Sequence, residues 1–394
     1  MDVNKYLAYW ADRYYEDITK NILPFWLKYG LDEINGGVYT CVDRDGTLID
    51  STKSVWFQGR FGFISAFAYN NIEANEKWLR ASKSCIDFIE QHCFDTDGRM
   101  YFEVTAEGKP IRKRRYVFSE CFAAIAMSEY SIASGDKNYA LKALDLFKNI
   151  LHFINTDGVL TPKYCEDIEM RGHSITMILI NTASRIREAI SAVELDAQID
   201  LSIESLQRYF VHPEFEALLE TVGPNGEFID NIMGRTINPG HCIETAWFLL
   251  EEAKYRDWDP KITKMAVTIL EWSWKWGWDK EYGGIINFRD CRGLPVQDYS
   301  QDMKFWWPQT EAIIATLYAY EATKDERFLE MHKQISDWTY AHFPDFEYGE
   351  WYGYLHRDGS VAQPAKGNIF KGPFHIPRMM IKGFMLCNNI NKQV

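Results

Sequence analysis

The chain has 394 residues, of which 46% are apolar and 15% are aromatic, so it can bury a large core. Its 43 basic and 56 acidic residues give a formal charge of −13, which argues against nucleic acid or an anionic membrane as the main partner. No apolar run reaches membrane-spanning length, and the first twenty residues lack the basic and apolar regions of a signal peptide. The eight cysteines are scattered without a CxxC spacing. This is typical of a reducing compartment, so we expect a cytoplasmic protein.

Helical periodicity dominates the chain and predicts twelve helices. No low-complexity linker interrupts the series, so a single domain over 1–394 is the simplest interpretation. In chain order the helices are expected at 4–28, 54–71, 75–92, 115–134, 137–154, 172–194, 198–211, 240–256, 260–275, 305–323, 326–341 and 376–390.

Four glycine-bounded stretches between helices predict small hairpins. Each alternates apolar and polar residues and ends near a DG, EG or RG turn. They follow the first, third, ninth and eleventh predicted helices. The stretches are NGGVYTCVDRDG (35–46), DGRMYFEVTAEG (97–108), YGGIINFRDCRG (282–293) and GEWYGYLHRDG (349–359).

The even-numbered helices differ in character from the odd-numbered ones. Segments such as GFISAFAY and IETAWFLLEEA carry few charges, whereas NEKWLRASKSCIDFIEQH has a charged face. A helix that is apolar nearly all round is buried, and one with a polar stripe is outer. Six buried helices alternating with six outer ones predict an all-α fold, an (α/α)6 barrel with short β-hairpins in the loops. An α-solenoid of helix pairs is the alternative.

In such a barrel the starts of the inner helices converge on one mouth, where a site is expected. Three of the nine histidines fall at equivalent places in this repeat, which favours a site over coincidence. The side chains at these starts are Trp56, Arg60, Tyr116, Glu120, His173, His241, Glu244, Trp306, Trp307, Glu311, Lys371, His375 and Arg378.

The segment NPGHCIE predicts an oriented histidine at a helix start. Asn238 can cap the helix, and Pro239 suits its first position. His241 and Glu244 are then neighbours on one face. A carboxylate beside an imidazole fixes its tautomer and stabilises its charged form, as a general base requires. The alternative is a core histidine that Glu244 merely satisfies.

A second histidine, His375, lies in GPFHIPR, where a glycine and two prolines hold it rigidly at a helix start. Two histidines on opposite sides of a cavity could remove and return a proton on opposite faces of one carbon. Arg60 would then stabilise the developing oxyanion. The alternatives are a packing histidine and a structural ion pair. No HExxH or other short ligand spacing is present, so we expect no catalytic metal.

Six motifs together resemble the N-acylglucosamine 2-epimerase family, which includes cellobiose 2-epimerases and related aldose–ketose isomerases. They follow the family's order over nearly the whole chain. The motifs are WFQGR (56–60), MRGH (170–173), NPGHCIETAWFLL (238–250), WDKEYGGI (278–285), KFWWPQTEAI (304–313) and KGPFHIPR (371–378).

The resemblance implies an (α/α)6 barrel that needs neither a metal nor a redox cofactor. It makes His241 and His375 the acid–base pair, Glu244 the partner of His241, and Arg60 the oxyanion-stabilising residue. Other residues are expected to bind substrate, three by the resemblance and three by their place at the inner-helix starts. The first three are Trp56, His173 and Trp307, and the others are Tyr116, Glu311 and Lys371.

The implied reaction interconverts N-acetylglucosamine and N-acetylmannosamine after ring opening, with His375 as the base from the gluco side. An aldose–ketose isomerase and a cellobiose 2-epimerase are the nearest alternatives. A glycoside hydrolase would instead need two carboxylates across the cavity, drawn from Glu120, Glu244 and Glu311. A non-enzymatic binding or regulatory protein is a further alternative. The family resemblance also implies a homodimer and the possibility of ATP as an activator that is not consumed.

Overall fold

Helices make up most of the molecule. The computed structural model describes residues 2–164 and 169–393, so Cys165 lies outside the described residues. The helices are α1 (Val3–Asp17), α2 (Leu23–Tyr29), α3 (Val55–Asn71), α4 (Glu76–His92), α5 (Phe118–Ser134), α6 (Lys137–Asn155), α7 (His173–Ala189), α8 (Val193–Ser205), α9 (Ile232–Arg235), α10 (Pro239–Tyr255), α11 (Pro260–Gly277), α12 (Trp306–Thr323), α13 (Glu326–His342) and α14 (His375–Gln393).

All twelve predicted helices are present. The first is divided into α1 and α2 by a π-helical turn at Ile18–Ile22, and the short α9 was not predicted. One boundary was wrong, because the helix predicted over 172–194 ends at Ala189 and α8 begins at Val193. Ile190 and Ala192 adopt extended conformations there. No glycine or proline marks this break, so the sequence carries no signal for it.

Six helices form a closed inner ring. In order, α3, α5, α7, α10, α12 and α14 pack against one another, and α14 packs back against α3. The pair formed by α1 and α2, together with α4, α6, α8, α11 and α13, lies outside, each against an inner helix. The closing contact confirms the (α/α)6 barrel and excludes the open solenoid. None of the helices over 2–164 and 169–393 combines the length and apolar character that a bilayer crossing requires.

Short strands decorate the loops. The strands are β1 (Lys53–Ser54), β2 (Tyr101–Val104), β3 (Pro110–Lys113), β4 (Arg171–Gly172), β5 (Val211–His212), β6 (Ala217–Leu218), β7 (Thr221–Val222), β8 (Thr236–Ile237), β9 (Arg289–Asp290), β10 (Lys304–Phe305), β11 (Tyr354–Leu355) and β12 (Val361–Gln363). Strands β1, β2 and β3 form one three-stranded antiparallel sheet, and strands β10, β11 and β12 form another. The remaining strands form two-stranded pairs.

Two of the four predicted hairpins are confirmed. The stretch 97–108 supplies β2, which pairs with β3, and the stretch 349–359 supplies β11, which pairs with β12. The stretch 35–46 forms only isolated bridges, at Val38 and Val42. The stretch 282–293 supplies β9, which pairs with β8 from an earlier loop rather than within a hairpin.

A repeated glutamine fixes two inner helices to their preceding loops. In α3, the Gln58 side chain accepts from the backbone N–H of Val38 and donates to its carbonyl, at 2.8 and 2.9 Å. In α12, Gln309 makes the same two bonds with Ile285, at 2.7 and 2.8 Å. Both amides are fully buried, so these bonds satisfy loop groups that would otherwise be unpaired. They orient the starts of α3 and α12, which face the cavity.

Candidate active site

The starts of the inner helices surround one cavity of about 1460 Å³. It is larger than the ~300–1,000 Å³ of common small-molecule sites. Seven of the ten predicted site residues line it, which agrees with the expected convergence at one mouth. They are Trp56, Arg60, Tyr116, His241, Glu244, Trp307 and His375.

The start of α10 presents His241 to the cavity. As predicted, Asn238 caps the helix, and its side-chain oxygen accepts from the backbone N–H of His241 at 3.1 Å. The partner of the imidazole is not Glu244, contrary to the prediction. His241 Nδ1 instead lies 3.0 Å from Glu220 Oε1. Glu220 immediately precedes β7, twenty-one positions before His241, so only the fold brings the two together.

The environment of His241 favours its charged form. Burial alone lowers the pKa of the imidazole, but the charges of Glu220 and Glu244 outweigh it, and the pKa is raised above its usual value. Reciprocally, burial of Glu220 opposes ionisation, yet His241 and His173 hold the pKa of its carboxyl well below the usual range. Since Nδ1 is engaged with the carboxylate, Nε2 is the nitrogen that remains for a ligand.

His173 supports this arrangement from behind. It is fully buried and does not line the cavity, so the prediction that it binds substrate is not supported. Its Nε2 lies 3.0 Å from Thr245 Oγ1, and that hydroxyl donates to the backbone oxygen of His241. Its Nδ1 lies 3.6 Å from Glu220 Oε1. His173 therefore contacts both members of the His241–Glu220 pair.

His375 begins α14 and is almost fully buried, at 7% exposure. Its Nδ1 lies 2.8 Å from Glu311 Oε1. Glu311 is fully buried, accepts from Trp247 Nε1 at 2.7 Å and does not line the cavity, so the structure gives no support to the prediction that it contacts substrate. Burial and the positive charge of Arg378 hold the pKa of His375 well below its usual value. The ring is therefore neutral and can accept a proton at Nε2.

Arg378 connects the carboxylates around His375. Its Nη2 donates to Glu244 Oε1 at 2.5 Å and lies 2.8 Å from Glu311 Oε1. Glu244 thus pairs with Arg378 across the barrel, rather than with His241 on its own helix. The guanidinium offsets part of the charge of these two buried carboxylates, so they raise the pKa of His375 less than two unpaired carboxylates would.

The carboxylates do not form a hydrolase pair. Glu244 and Glu311 belong to one cluster with His375, in which the ligating atoms lie within 4.8 Å of one another. Glu120 is fully buried and accepts from Arg99 Nε at 2.6 Å, outside the cavity lining. The three candidates therefore do not supply the two carboxylates across the cavity that glycoside hydrolysis needs.

Arg60 is an unpaired cation on α3. Its Nε is buried without a hydrogen-bond partner, and its guanidinium forms no salt bridge with any other described residue. The guanidinium carbon lies 4.2 Å from the ring centre of Phe122 and 4.7 Å from that of Phe374. Burial lowers the pKa of Arg60 to about 9, so the side chain is still charged at neutral pH. Aromatic faces hold this charge in place without neutralising it.

Aromatic rings fill the space beside these groups. Trp307 lies between the two histidines, with its ring centre 5.2 Å from that of His241 and 5.8 Å from that of His375. Trp56 and Tyr116 line the cavity together, with ring centres 6.2 Å apart. All three side chains line the cavity, and their contact with substrate stays a prediction.

Lys371 does not line the cavity, so the structure gives no support to the prediction that it binds substrate. It is fully buried and its Nζ lies 2.7 Å from Glu350 Oε2. Three other fully buried lysines make the same kind of contact beside inner-helix starts. The four pairs are Lys53 with Asp32 at 2.7 Å, Lys304 with Asp279 at 2.9 Å, Lys366 with Asp345 at 2.7 Å, and Lys371 with Glu350.

Two side-chain groups are compact enough to share a cation. They are His173, Glu220 and His241, and Glu244, Glu311 and His375. In both groups an imidazole Nδ1 is within hydrogen-bond distance of a carboxylate, and in the second group both acids are bonded to Arg378.

Sequence reasoning missed Glu220, which has no local signal because it comes from a loop that precedes α10. It placed Arg378 at the start of the last inner helix but gave it no role. The spacing could have suggested one, since Arg378 follows His375 by three positions on one helix and therefore shares its face.

The barrel and the comparisons define the protein as an epimerase, a class of isomerase. The chain belongs to the N-acylglucosamine 2-epimerase family, and the family model described as N-acylglucosamine 2-epimerase (GlcNAc 2-epimerase) matches residues 37–372. The N-acylglucosamine 2-epimerase of Bos taurus is 34% identical over 98% of this chain and 92% of its own length. A cellobiose 2-epimerase of Bacteroides fragilis is 25% identical over 93% and 96%. The structure of cellobiose 2-epimerase from Spirochaeta thermophila has a TM-score of 0.85 at 20% identity, covering 99% of each chain.

Proposed function

We propose that this epimerase interconverts N-acetylglucosamine and N-acetylmannosamine. One observation carries the proposal. His241 and His375 face a single cavity, each anchored through Nδ1 to a different carboxylate, beside the unpaired Arg60. The choice of sugar is supported by the higher identity to the bovine N-acylglucosamine 2-epimerase, 34%, than to the cellobiose 2-epimerase of Bacteroides fragilis, 25%.

The reaction begins with opening of the pyranose, which exposes the C1 aldehyde and acidifies the proton on C2. From the gluco side, neutral His375 removes this proton through Nε2. The resulting enolate oxygen faces Arg60, whose charge is available because no carboxylate neutralises it. Protonated His241 then donates a proton to the other face of C2. The two histidines exchange roles when the reaction runs in reverse.

The expected magnitudes are consistent with this division of labour. A positioned general acid or base contributes typically ~10²–10⁴-fold. Fixed charges aimed at a developing oxyanion contribute a further ~10²–10³-fold each in water-excluded sites. The mechanism requires no metal and no redox cofactor, since each step moves only a proton at a carbon beside a carbonyl.

Other properties of the protein are proposals that rest on the family resemblance and on the sequence. They are a single catalytic domain over 1–394, a homodimer, a cytoplasmic location and activation by ATP that is not consumed. ATP is therefore included as a variable in the experiment that tests the activity.

The test is proton NMR of the purified enzyme with N-acetylglucosamine in D₂O, with and without ATP. We expect N-acetylmannosamine to appear with deuterium at C2, because His241 exchanges its proton with solvent before donating it. His241→Asn and His375→Asn should each abolish the conversion. His356→Asn changes an exposed histidine outside the cavity and serves as the matched control.

The outcomes separate the alternatives. Conversion of mannose or glucose to fructose, with no reaction of the N-acetyl sugars, would move the assignment to an aldose–ketose isomerase. Epimerisation of cellobiose alone would move it to the cellobiose 2-epimerases. Full activity in either cavity-histidine variant would contradict the two-histidine mechanism.

A further inference from the structure

The two cavity histidines have oppositely charged surroundings. The groups that face His241 are the carboxylates of Glu220, from the loop before β7, and Glu244 on α10, together with the imidazoles of His173 on α7 and His375 on α14. Of these, Glu220 is the group in direct contact, at 3.0 Å, and its side chain is only 18% exposed. Glu220 forms no salt bridge to a lysine or arginine among the residues described.

His375 is surrounded by more positive charge. Glu311 on α12 and Glu244 on α10 approach it, but both bond to Arg378 on α14. Arg60 on α3 and His241 on α10 also face this ring and oppose its protonation. His375 therefore lies beside carboxylates that are bonded to a guanidinium, whereas His241 contacts a carboxylate that is not.

We propose that Glu220 is a positioning residue that holds His241 as the proton-bearing member of the catalytic pair. This inference rests on the proposed two-histidine mechanism and deepens it. Glu220 fixes the ring by accepting from Nδ1, so that the proton for C2 is carried on Nε2. Because Arg378 is bonded to both acids around His375, and Arg60 also faces that ring, a single proton on the pair resides on His241. The enzyme is thus ready, before substrate binds, for His375 to act first as the base.

The arrangement is compatible with reversibility. The form that starts the opposite direction carries the same number of protons and differs only in which histidine holds the shared one. The two directions therefore have the same pH dependence in kcat/KM, as the overall equilibrium requires. The alkaline limb of that profile reports loss of the proton from His241. Its position should depend on Glu220.

The test compares Glu220→Gln with the unchanged enzyme in two measurements. Histidine side-chain NMR, assigned with His241→Asn and His375→Asn, gives the titration midpoint of His241. We expect it to fall in Glu220→Gln, since burial remains while the partner charge is lost. The alkaline limb of kcat/KM should move to lower pH by the same amount. Activity above the new midpoint should then drop about tenfold for each unit of that movement, with partial recovery at lower pH.

Glu214→Gln is the matched control. Glu214 Oε1 lies 2.9 Å from His212 Nδ1, so the substitution removes a carboxylate from a histidine outside the cavity. It should leave the titration of His241 and the pH profile unchanged. Glu220→Asp, which keeps the charge but shortens the side chain, should keep the limb nearer its original position.

The results distinguish this inference from the proposed function. An unchanged His241 midpoint in Glu220→Gln, or an activity loss that is equal at every pH, would overturn the role of Glu220 and show that it is merely structural. Full activity in His241→Asn would instead overturn the two-histidine mechanism itself. If Glu220→Gln fails to fold, the midpoint of His241 in Glu220→Asp decides. A fall in that midpoint, with an equal movement of the alkaline limb, supports the role of Glu220, and an unchanged midpoint and limb overturn it.

Discussion

His375 and Arg378, one helical turn apart on α14, bond to the same carboxylate oxygen. Glu311 Oε1 lies 2.8 Å from His375 Nδ1 and 2.8 Å from Arg378 Nη2. The carboxylate orients the imidazole, while the guanidinium cancels the charge that would otherwise stabilise the imidazolium. This combination supplies a fixed ring that is neutral, which is what a base must be before it takes a proton.

Replacing Glu311 with Gln tests this orientation. We expect kcat to fall about 10²-fold with little change in KM, because the buried ring loses its charged partner and Arg378 keeps only Glu244. Steady-state kinetics in both directions measure the split. The control is Glu321→Gln. Glu321 is another buried carboxylate on α12, bonded to Lys254 of α10, and its replacement should leave kcat of the folded enzyme unchanged. A large rise in KM with unaltered kcat would instead restore the sequence-based prediction that Glu311 contacts the sugar.

Arg60→Met tests the unpaired cation. We expect kcat to fall by about 10²–10³-fold, or ~2.7–4 kcal/mol of transition-state stabilisation, since the substitution removes the cavity charge that forms no salt bridge with another described residue. Folding stability should not decrease, because the substitution breaks no salt bridge and removes a buried charge. Arg60→Lys should be intermediate, as it keeps the charge in a different shape. Equal losses of stability and activity would indicate a structural role.

The sequence predicted the architecture well because the architecture depends on local patterns. The contrast between GFISAFAY in α3 and the charged face of α4 is visible in the residues themselves, and so is the cap that Asn238 provides to α10. Helix starts were therefore located closely enough to identify seven cavity residues. Local patterns of this kind show which face of each helix is buried. With six repeated pairs of inner and outer helices, few arrangements other than a closed ring bury all of these faces.

Partner assignments failed where they depended on contacts between distant segments. Spacing placed Glu244 beside His241, but the structure gives Glu244 to Arg378, 134 positions away, and gives His241 the carboxylate of Glu220. A carboxylate three positions away on a helix competes with every other carboxylate that the fold brings near. The placement of Lys371 at the cavity failed for a similar reason, because its acidic partner, Glu350, lies on a separate loop.

Lys371→Met tests the structural assignment of that lysine. Removing one partner leaves the charge of Glu350 buried and unpaired, so we expect a loss of about 3–5 kcal/mol in the free energy of unfolding. Chemical denaturation measures this loss. The double variant Lys371→Met with Glu350→Gln should recover part of it, since no buried charge is left alone. The kcat of folded enzyme should be unaffected in both; a fall in kcat at unchanged stability would return Lys371 to the substrate site.

His332 makes folding stability sensitive to acid. This fully buried ring lies on α13. Its Nδ1 is 2.6 Å from the hydroxyl oxygen of Tyr6, and its Nε2 is 3.1 Å from that of Tyr14. Burial lowers the pKa of His332 to about 3. The folded protein therefore holds His332 in its neutral form. The contribution of this ring to the free energy of unfolding is complete above its unfolded pKa of about 6.5 and is lost as pH falls towards 3. Between pH 6.5 and 5, where few carboxylates titrate, the expected loss is about 2 kcal/mol.

Urea unfolding at pH 5 to 7 measures this dependence, with His332→Asn as the comparison. The variant should be less stable at pH 7, because Asn leaves a cavity beside the two tyrosines. Its free energy of unfolding should nevertheless fall less steeply as pH decreases, by about 1.4 kcal/mol per pH unit. The reason is that unfolding of the variant no longer exposes a histidine that binds a proton. His375 is also held neutral by burial, so His375→Asn is measured in parallel and should show a separate, additive change. Identical slopes in His332→Asn and the unchanged protein would show that the ring is protonated in the folded state without cost.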